Sequence, residues 1–187
     1  MKLLGMKNCY DGKYLDGYEL TYENRAGREK TFEMVSRSRL SSPSEIGGHV
    51  SGVTIVAWQD DRLLLLKEFR MSINRSIFNL CAGMLEEGET PEACAARELY
   101  EETGLHVARF IDILPPSYSA VGFSDTATWL VFLEAEGDIC VHASENEEIS
   151  AAFYTRRQVE ELLKTETFSS RSQTVAWFFK NEGMPDN

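Results

Sequence analysis

The chain of 187 residues carries 30 acidic against 19 basic side chains, for a formal net charge of −11. That length suffices for one well-buried core, with or without a small appendage. Hydrophobic residues at 43% and aromatics at 11% exclude wholesale disorder. The acidic balance excludes a non-specific DNA or RNA binder, which needs a cationic face to neutralise phosphates. A small anion stays open as a partner if metal ions or a local basic cluster reverse the field.

Cys9, Cys81, Cys94 and Cys140 form no CxxC pair, so neither a zinc ribbon nor a disulfide scaffold is expected. The N-terminal MKLLGMKNCYDGKYLDG turns polar too soon for a signal peptide, and the longest apolar run, Leu63 to Leu66, is far shorter than a membrane span. A soluble cytoplasmic protein with no membrane partner is expected.

In chain order, two period-two runs, Tyr18–Asn24 and Glu29–Arg37, flank a turn containing Gly27 and predict a β-hairpin. Ser38 to Gly48 reads as a linker. Val50–Trp58 and Arg62–Phe69 around Gln59-Asp60-Asp61 predict a second hairpin. The stretch from Thr90 to Gly104 predicts a helix: Thr90 is a plausible N-cap, Pro91 suits the first turn, and Gly104 suits the left-handed residue past the end. Ala93, Ala96, Leu99, Tyr100 and Thr103 are expected on its buried face. Strands at 106–114, 127–135 and 151–154 and helices at 156–164 and about 169–180 complete the reading. Strands and helices mix without regular alternation, which predicts an α+β fold of helices around a mixed sheet. The N-terminal hairpin, residues 1–45, is expected to be an extension to a main domain of 46–187.

Glu98 is followed at i+3 and i+4 by Glu101 and Glu102, which places three carboxylates on neighbouring positions of one helix face. Like charges this close repel, and Arg97, four residues before Glu101, offsets only part of that. Clustered hard oxygen ligands on a rigid element suit Mg²⁺ or Mn²⁺, while the ordinary alternative is a solvated acidic face.

Together, Gly83, Glu89, Arg97-Glu98-Leu99, Glu101-Glu102 and Gly104-Leu105 match every specified position of GX5EX7REUXEEXGU, with U aliphatic. The chain thus resembles the Nudix hydrolases. The resemblance implies an α/β/α sandwich and Mg²⁺-dependent hydrolysis, with Mn²⁺ as a substitute, of a nucleoside diphosphate linked to another moiety. It implies Glu98 and Glu102 as principal metal ligands, Glu101 as a supplementary one, and Gly83 in the metal set. Arg97 and Glu89 are implied to orient the site, the alternative being a structural ion pair. The general base is expected in the acidic segment 144–149: Glu148 first, then Glu145 and Glu147, against the reading of a solvated acidic turn.

The N-terminal extension and Leu66-Lys67-Glu68-Phe69-Arg70 are similar to the ADP-ribose pyrophosphatase branch, in which such strands support a homodimer. That likeness implies Phe32 as a base-stacking platform and Arg37 and Arg70 as contacts to the terminal ribose or phosphates. Core packing for Phe32 and plain surface charge for the arginines are the alternatives. Ala120-Val121 stands in place of the branch's proline, Thr126 in place of a frequent glutamate, and Asn79 and Cys81 in place of the glutamate and proline before the box. ADP-ribose is the first expected substrate. Another nucleotide, including a dinucleotide, and a non-catalytic nucleotide-sensing module are the alternatives.

Overall fold

The computed structural model describes residues 1–140 and 148–183. The chain divides into two compact units, one formed by 1–51 with 115–129 and the other by 52–114 with 130–187.

In the first unit, β1 (Lys2–Asp11), β2 (Asp16–Glu23) and β3 (Glu29–Ser36) form an antiparallel sheet in the order β1-β2-β3. The expected hairpin is β2–β3, paired from Asp16–Ser36 through Glu23–Glu29. Its turn is tied by the Asn24 side chain, which accepts from the N–H groups of Ala26 and Arg28, and Gly27 takes the left-handed conformation. The hairpin is extended to three strands by β1, which the sequence reading missed. Register shifts at Leu3/Gly5 and Asn8/Tyr10 break its alternation, so no period-two pattern survives. Tyr18, Leu20, Met34 and Leu40 make a small core there, and the Tyr18 hydroxyl accepts the Leu40 N–H at 2.7 Å.

The second sheet is a seven-stranded mixed sheet built from β4 (Val50–Gln59), β5 (Arg62–Arg70), β6 (Arg75–Asn79), β7 (Cys81–Met84), β8 (His106–Tyr118), β9 (Ala127–Glu136) and β10 (Ile149–Thr155). Its main path runs β10-β5-β4-β9-β8, with β6 on β5 and β7 on β4. The tight turn between β4 and β5 uses Asp60 at φ 52°. Because β5 lies inside the sheet, Leu63 to Leu66 are all buried, and alternate residues serve opposite faces. Leu63 and Leu65 join Val56, Phe78 and Leu80 in a core closed by Val159 of α2 (Arg156–Thr165) and Ala176 and Phe179 of α3 (Ser170–Glu182).

The remaining helix, α1 (Pro91–Thr103), packs on β7. It starts where its caps require: the Thr90 hydroxyl accepts the Ala93 N–H at 3.2 Å, and Gly104 closes it at φ 76°. Its buried residues are Cys94, Ala95, Leu99 and Thr103, whereas Ala93 and Tyr100 are exposed. The buried stripe is thus rotated from the expected one. Tyr100 instead stacks on His106, ring centres 5.1 Å apart. Thr90→Ala should lower stability by about 1 kcal/mol, read as a shift in the urea midpoint with an unchanged slope. No helix among the described residues is long and apolar enough to cross a membrane.

Candidate active site

The loop from β7 to α1 is folded by its own acidic side chain. Glu89 accepts the Glu86 N–H at 2.9 Å and donates its N–H to the Glu86 carbonyl at 3.1 Å, and Gly88 supplies a φ of 77°. Arg97, in the second turn of α1, then grips the loop. Its Nε and Nη2 donate to the two Glu89 oxygens at 3.0 and 2.9 Å, and Nη2 also donates to the Met84 carbonyl at 2.9 Å. Its Nη1 donates to Glu98 at 2.7 Å and to Glu101 at 3.2 Å. This fork holds Glu89 down to about 2 and raises the guanidinium further above its usual range. Arg97 is therefore an internal counter-charge to three carboxylates.

Glu102 has no such basic partner among the described residues. Its carboxylate accepts the Ala82 N–H at 3.3 Å, yet burial pushes it up to about 7, against the Cys81 thiol and Ala82 hydrogen bonds that pull it down. Burial also raises Glu98, opposed by Arg97. The same carboxylates, with burial first, keep the Cys81 thiol far from ionising.

This donor set fits a hard divalent cation. Glu98 and Glu102 lie a helical turn apart, and burial makes both resist ionisation. Gly83 leaves room for the Glu98 carboxyl group, since a Cβ there would overlap Glu98 Cγ, Cδ and Oε1. Among the described residues no group of three His, Cys, Asp or Glu already converges on one point.

A pH dependence follows. The folded protein holds the Glu102 proton more tightly than the unfolded chain does, so the metal-free protein loses stability as pH rises from about 4.5 to about 7. If Glu102 is a ligand, a divalent ion would displace that proton, and its stabilising effect should grow over the same window. Melting scans with and without Mg²⁺ at pH 5, 6, 7 and 8 should show an increasing gain in Tm. A gain independent of pH would contradict this reading.

Glu89, Arg97, Glu98 and Glu101 are therefore in direct contact, with Gly83 against Glu98 and Glu102 at Ala82. Glu148 is exposed immediately before β10, and its carbonyl accepts the Phe69 N–H at 3.0 Å. Glu145 and Glu147 lie outside the described residues. Arg70, at the end of β5, is half exposed and donates to both Glu68 oxygens at 3.4 Å. In the first unit, Arg37 is exposed just after β3, and Phe32, 39% exposed, lines a small cavity with Tyr22, Met34, Ile46 and Tyr118.

The sequence reading passed over Glu68 as a site residue. It is buried and hydrogen-bonded by the Asn79 side chain at 2.6 Å. A signal was present: an acid two residues past the apolar run Leu63 to Leu66 on the same strand, once buried, requires a partner.

The chain is 32% identical over 136 residues to the ADP-ribose pyrophosphatase of Bacillus subtilis (strain 168), covering 72% of this chain and 66% of that one. It is 30% identical over 137 residues to the ADP-ribose pyrophosphatase of Saccharomyces cerevisiae, covering 70% and 57%. It is also 30% identical over 128 residues to the ADP-sugar pyrophosphatase of Mus musculus, covering 68% and 58%. The chain thus spans less than two thirds of the length of these relatives. The crystal structure of an ADP compounds hydrolase superposes with a TM-score of 0.76 over 97% of this chain and 92% of the other, at 19% identity, a likeness of fold. The NUDIX domain model matches residues 48–178, which takes in the acidic loop, α1 and all the carboxylates described on them, and the chain belongs to the Nudix family.

Proposed function

We propose that this protein is a pyrophosphatase that hydrolyses a nucleoside diphosphate sugar, ADP-ribose before others, to a nucleoside monophosphate and a sugar phosphate. The observation that carries the proposal is the pair of desolvated carboxylates, Glu98 and Glu102, set a turn apart on α1 with space kept by Gly83. The names of the three curated relatives support the substrate class.

Glu98 and Glu102 would hold the ion, with Glu101 and the Gly83 carbonyl completing the set, and Mg²⁺ is the proposed ion. When bound, a divalent ion neutralises diphosphate charge and acidifies water. Arg97 and Glu89 hold the loop against α1 and so orient the carboxylates. Glu148 accepts the proton of the attacking water on its carboxylate, ahead of Glu145 and Glu147. Arg70 and Arg37 bind phosphate or terminal ribose oxygens, and Phe32 stacks on the base. Residues 1–45 are assigned to dimerisation and substrate contacts and 46–187 to the catalytic domain, in a homodimer located in the cytoplasm.

The test is a panel of ADP-ribose, other nucleoside diphosphate sugars and dinucleotides, each with and without Mg²⁺. ADP-ribose should be cleaved fastest, and only with the ion. Faster cleavage of a dinucleotide would move the substrate class, and tight binding without turnover of anything would make the protein a sensor. Arg70→Ala should raise KM for ADP-ribose at least about tenfold with kcat little changed, the mark of lost uniform binding. Unchanged KM in steady-state kinetics removes Arg70 from the site.

A further inference from the structure

We propose that Glu68 is the residue that positions Arg70, and that Asn79 fixes Glu68 by relaying the start of α3 to it. This inference rests on the reading of Arg70 as a substrate-anion contact.

The Glu68 side chain is only 11% exposed, whereas that of Arg70 is 50% exposed. The carboxylate is therefore the fixed partner and the guanidinium the one that is held. Nη1 of Arg70 sits equally, at 3.4 Å, from both Glu68 oxygens. A carboxylate on an interior strand must itself be satisfied. Asn79, across the β5–β6 pairing, donates Nδ2 to Glu68 at 2.6 Å.

The orientation of that amide is dictated by its other end. Oδ1 of Asn79 accepts the Leu80 N–H at 3.1 Å and the hydroxyls of Ser169 and Ser172 at 2.7 Å each. The backbone N–H can only donate, so a flipped amide would set donor against donor there. Ser172 is fully buried in α3 and accepts a second Leu80 contact, its N–H at 2.9 Å. Ser169 is the residue before the first turn of α3. A rigid chain of hydrogen bonds thus runs from α3 through Asn79 to Glu68 and ends on the half-exposed Arg70.

The experiment measures the Kd of α,β-methylene-ADP-ribose in Mg²⁺ by calorimetry, and kcat and KM on ADP-ribose, for Glu68→Gln, Asn79→Ala, Arg70→Ala and the two doubles with Arg70→Ala. Glu68→Gln keeps shape and the Asn79 bond while removing the charge that faces Arg70. Kd and KM should rise about fivefold in each of the first two variants, with kcat within about twofold. In the Arg70→Ala background neither change should add more than about twofold, because the same interaction is already gone. A merely structural role would lower Tm without that non-additive split. Asn79→Ala carries the test if Glu68→Gln fails to fold.

An unchanged Kd in Glu68→Gln while Arg70→Ala raises it overturns the positioning role alone. So does a fall in kcat with weakened Mg²⁺ binding, which would place Glu68 among the metal carboxylates. An unchanged Kd in Arg70→Ala overturns both this inference and the reading of Arg70. If the wild type binds the analogue yet cleaves no sugar nucleotide, the proposed activity falls, and the coupling measured by Kd still decides the role of Glu68.

Discussion

Glu102→Gln should lower turnover of the sugar nucleotide by at least about a hundredfold, and at pH 8 it should raise the Tm of the metal-free protein. The two effects have one cause. Glu102 is half-buried and desolvated, its charge is opposed by Glu98 and Glu68, and among the described residues the Ala82 N–H and the Cys81 thiol favour it. At pH 8 the metal-free fold carries that charge at a penalty of at most about 3 kcal/mol. Glutamine removes the penalty, and its carbonyl still accepts the Ala82 N–H. At pH 4, where the wild-type group is protonated in the fold and mostly protonated in the unfolded chain, the substitution should leave Tm within about a degree. In the proposed site the same charge that destabilises the metal-free protein would attract a divalent ion, so the Mg²⁺-induced gain in Tm should also shrink. Melting scans at both pH values, beside steady-state kinetics, check all of this. Turnover within tenfold of wild type would show that the ion is held elsewhere. A lower Tm at both pH values would make Glu102 a packing residue.

How much of this was legible in the sequence depended on how local the physics is. The bounds of α1 were readable because caps act within one turn: Thr90, Pro91 and Gly104 each do the job that its side chain, ring or missing Cβ dictates. The acidic spacing was readable for the same reason. The buried face of α1 was not, since Ala93 and Ala95 are alike in composition and only packing on β7 chooses between them. Strands β6 and β7 were missed because they are short, with Gly83 and Ala82 offering no alternation to count. The contact between Arg97 and Glu98 joins adjacent residues, a pair that helical spacing does not set face to face, and it arises because Arg97 folds back over the loop to reach Glu89. The network of Glu68, Asn79, Ser169 and Ser172 links positions far apart in the chain, so no window of sequence contains it.

Gly83→Ala should reduce turnover by ten- to a hundredfold while moving Tm by no more than about 2 °C, and Gly52→Ala should do the reverse in emphasis. The difference lies in what each new methyl group meets. At Gly83 it overlaps Cγ, Cδ and Oε1 of Glu98, the movable end of a side chain. The strand can stay in register, opposite Val53 of β4, while the carboxylate is driven from its place beside Arg97. Rotating one side chain costs about 1 kcal/mol, but on the proposed role of Glu98 it would remove charge needed where the diphosphate is to be cleaved. At Gly52 the methyl overlaps the carbonyl carbon and oxygen of Gly83 and lies against Cα of Met84, all backbone. Relief there means parting β4 from β7, which costs about 3 kcal/mol or more and should appear as a loss of several degrees in Tm. Measuring kcat and Tm on both variants separates room for a side chain from room for a backbone. Gly83→Ala with full activity would mean that Glu98 works from another rotamer. A Tm loss in Gly83→Ala equal to that of Gly52→Ala would mean that the two glycines serve only the close approach of the strands.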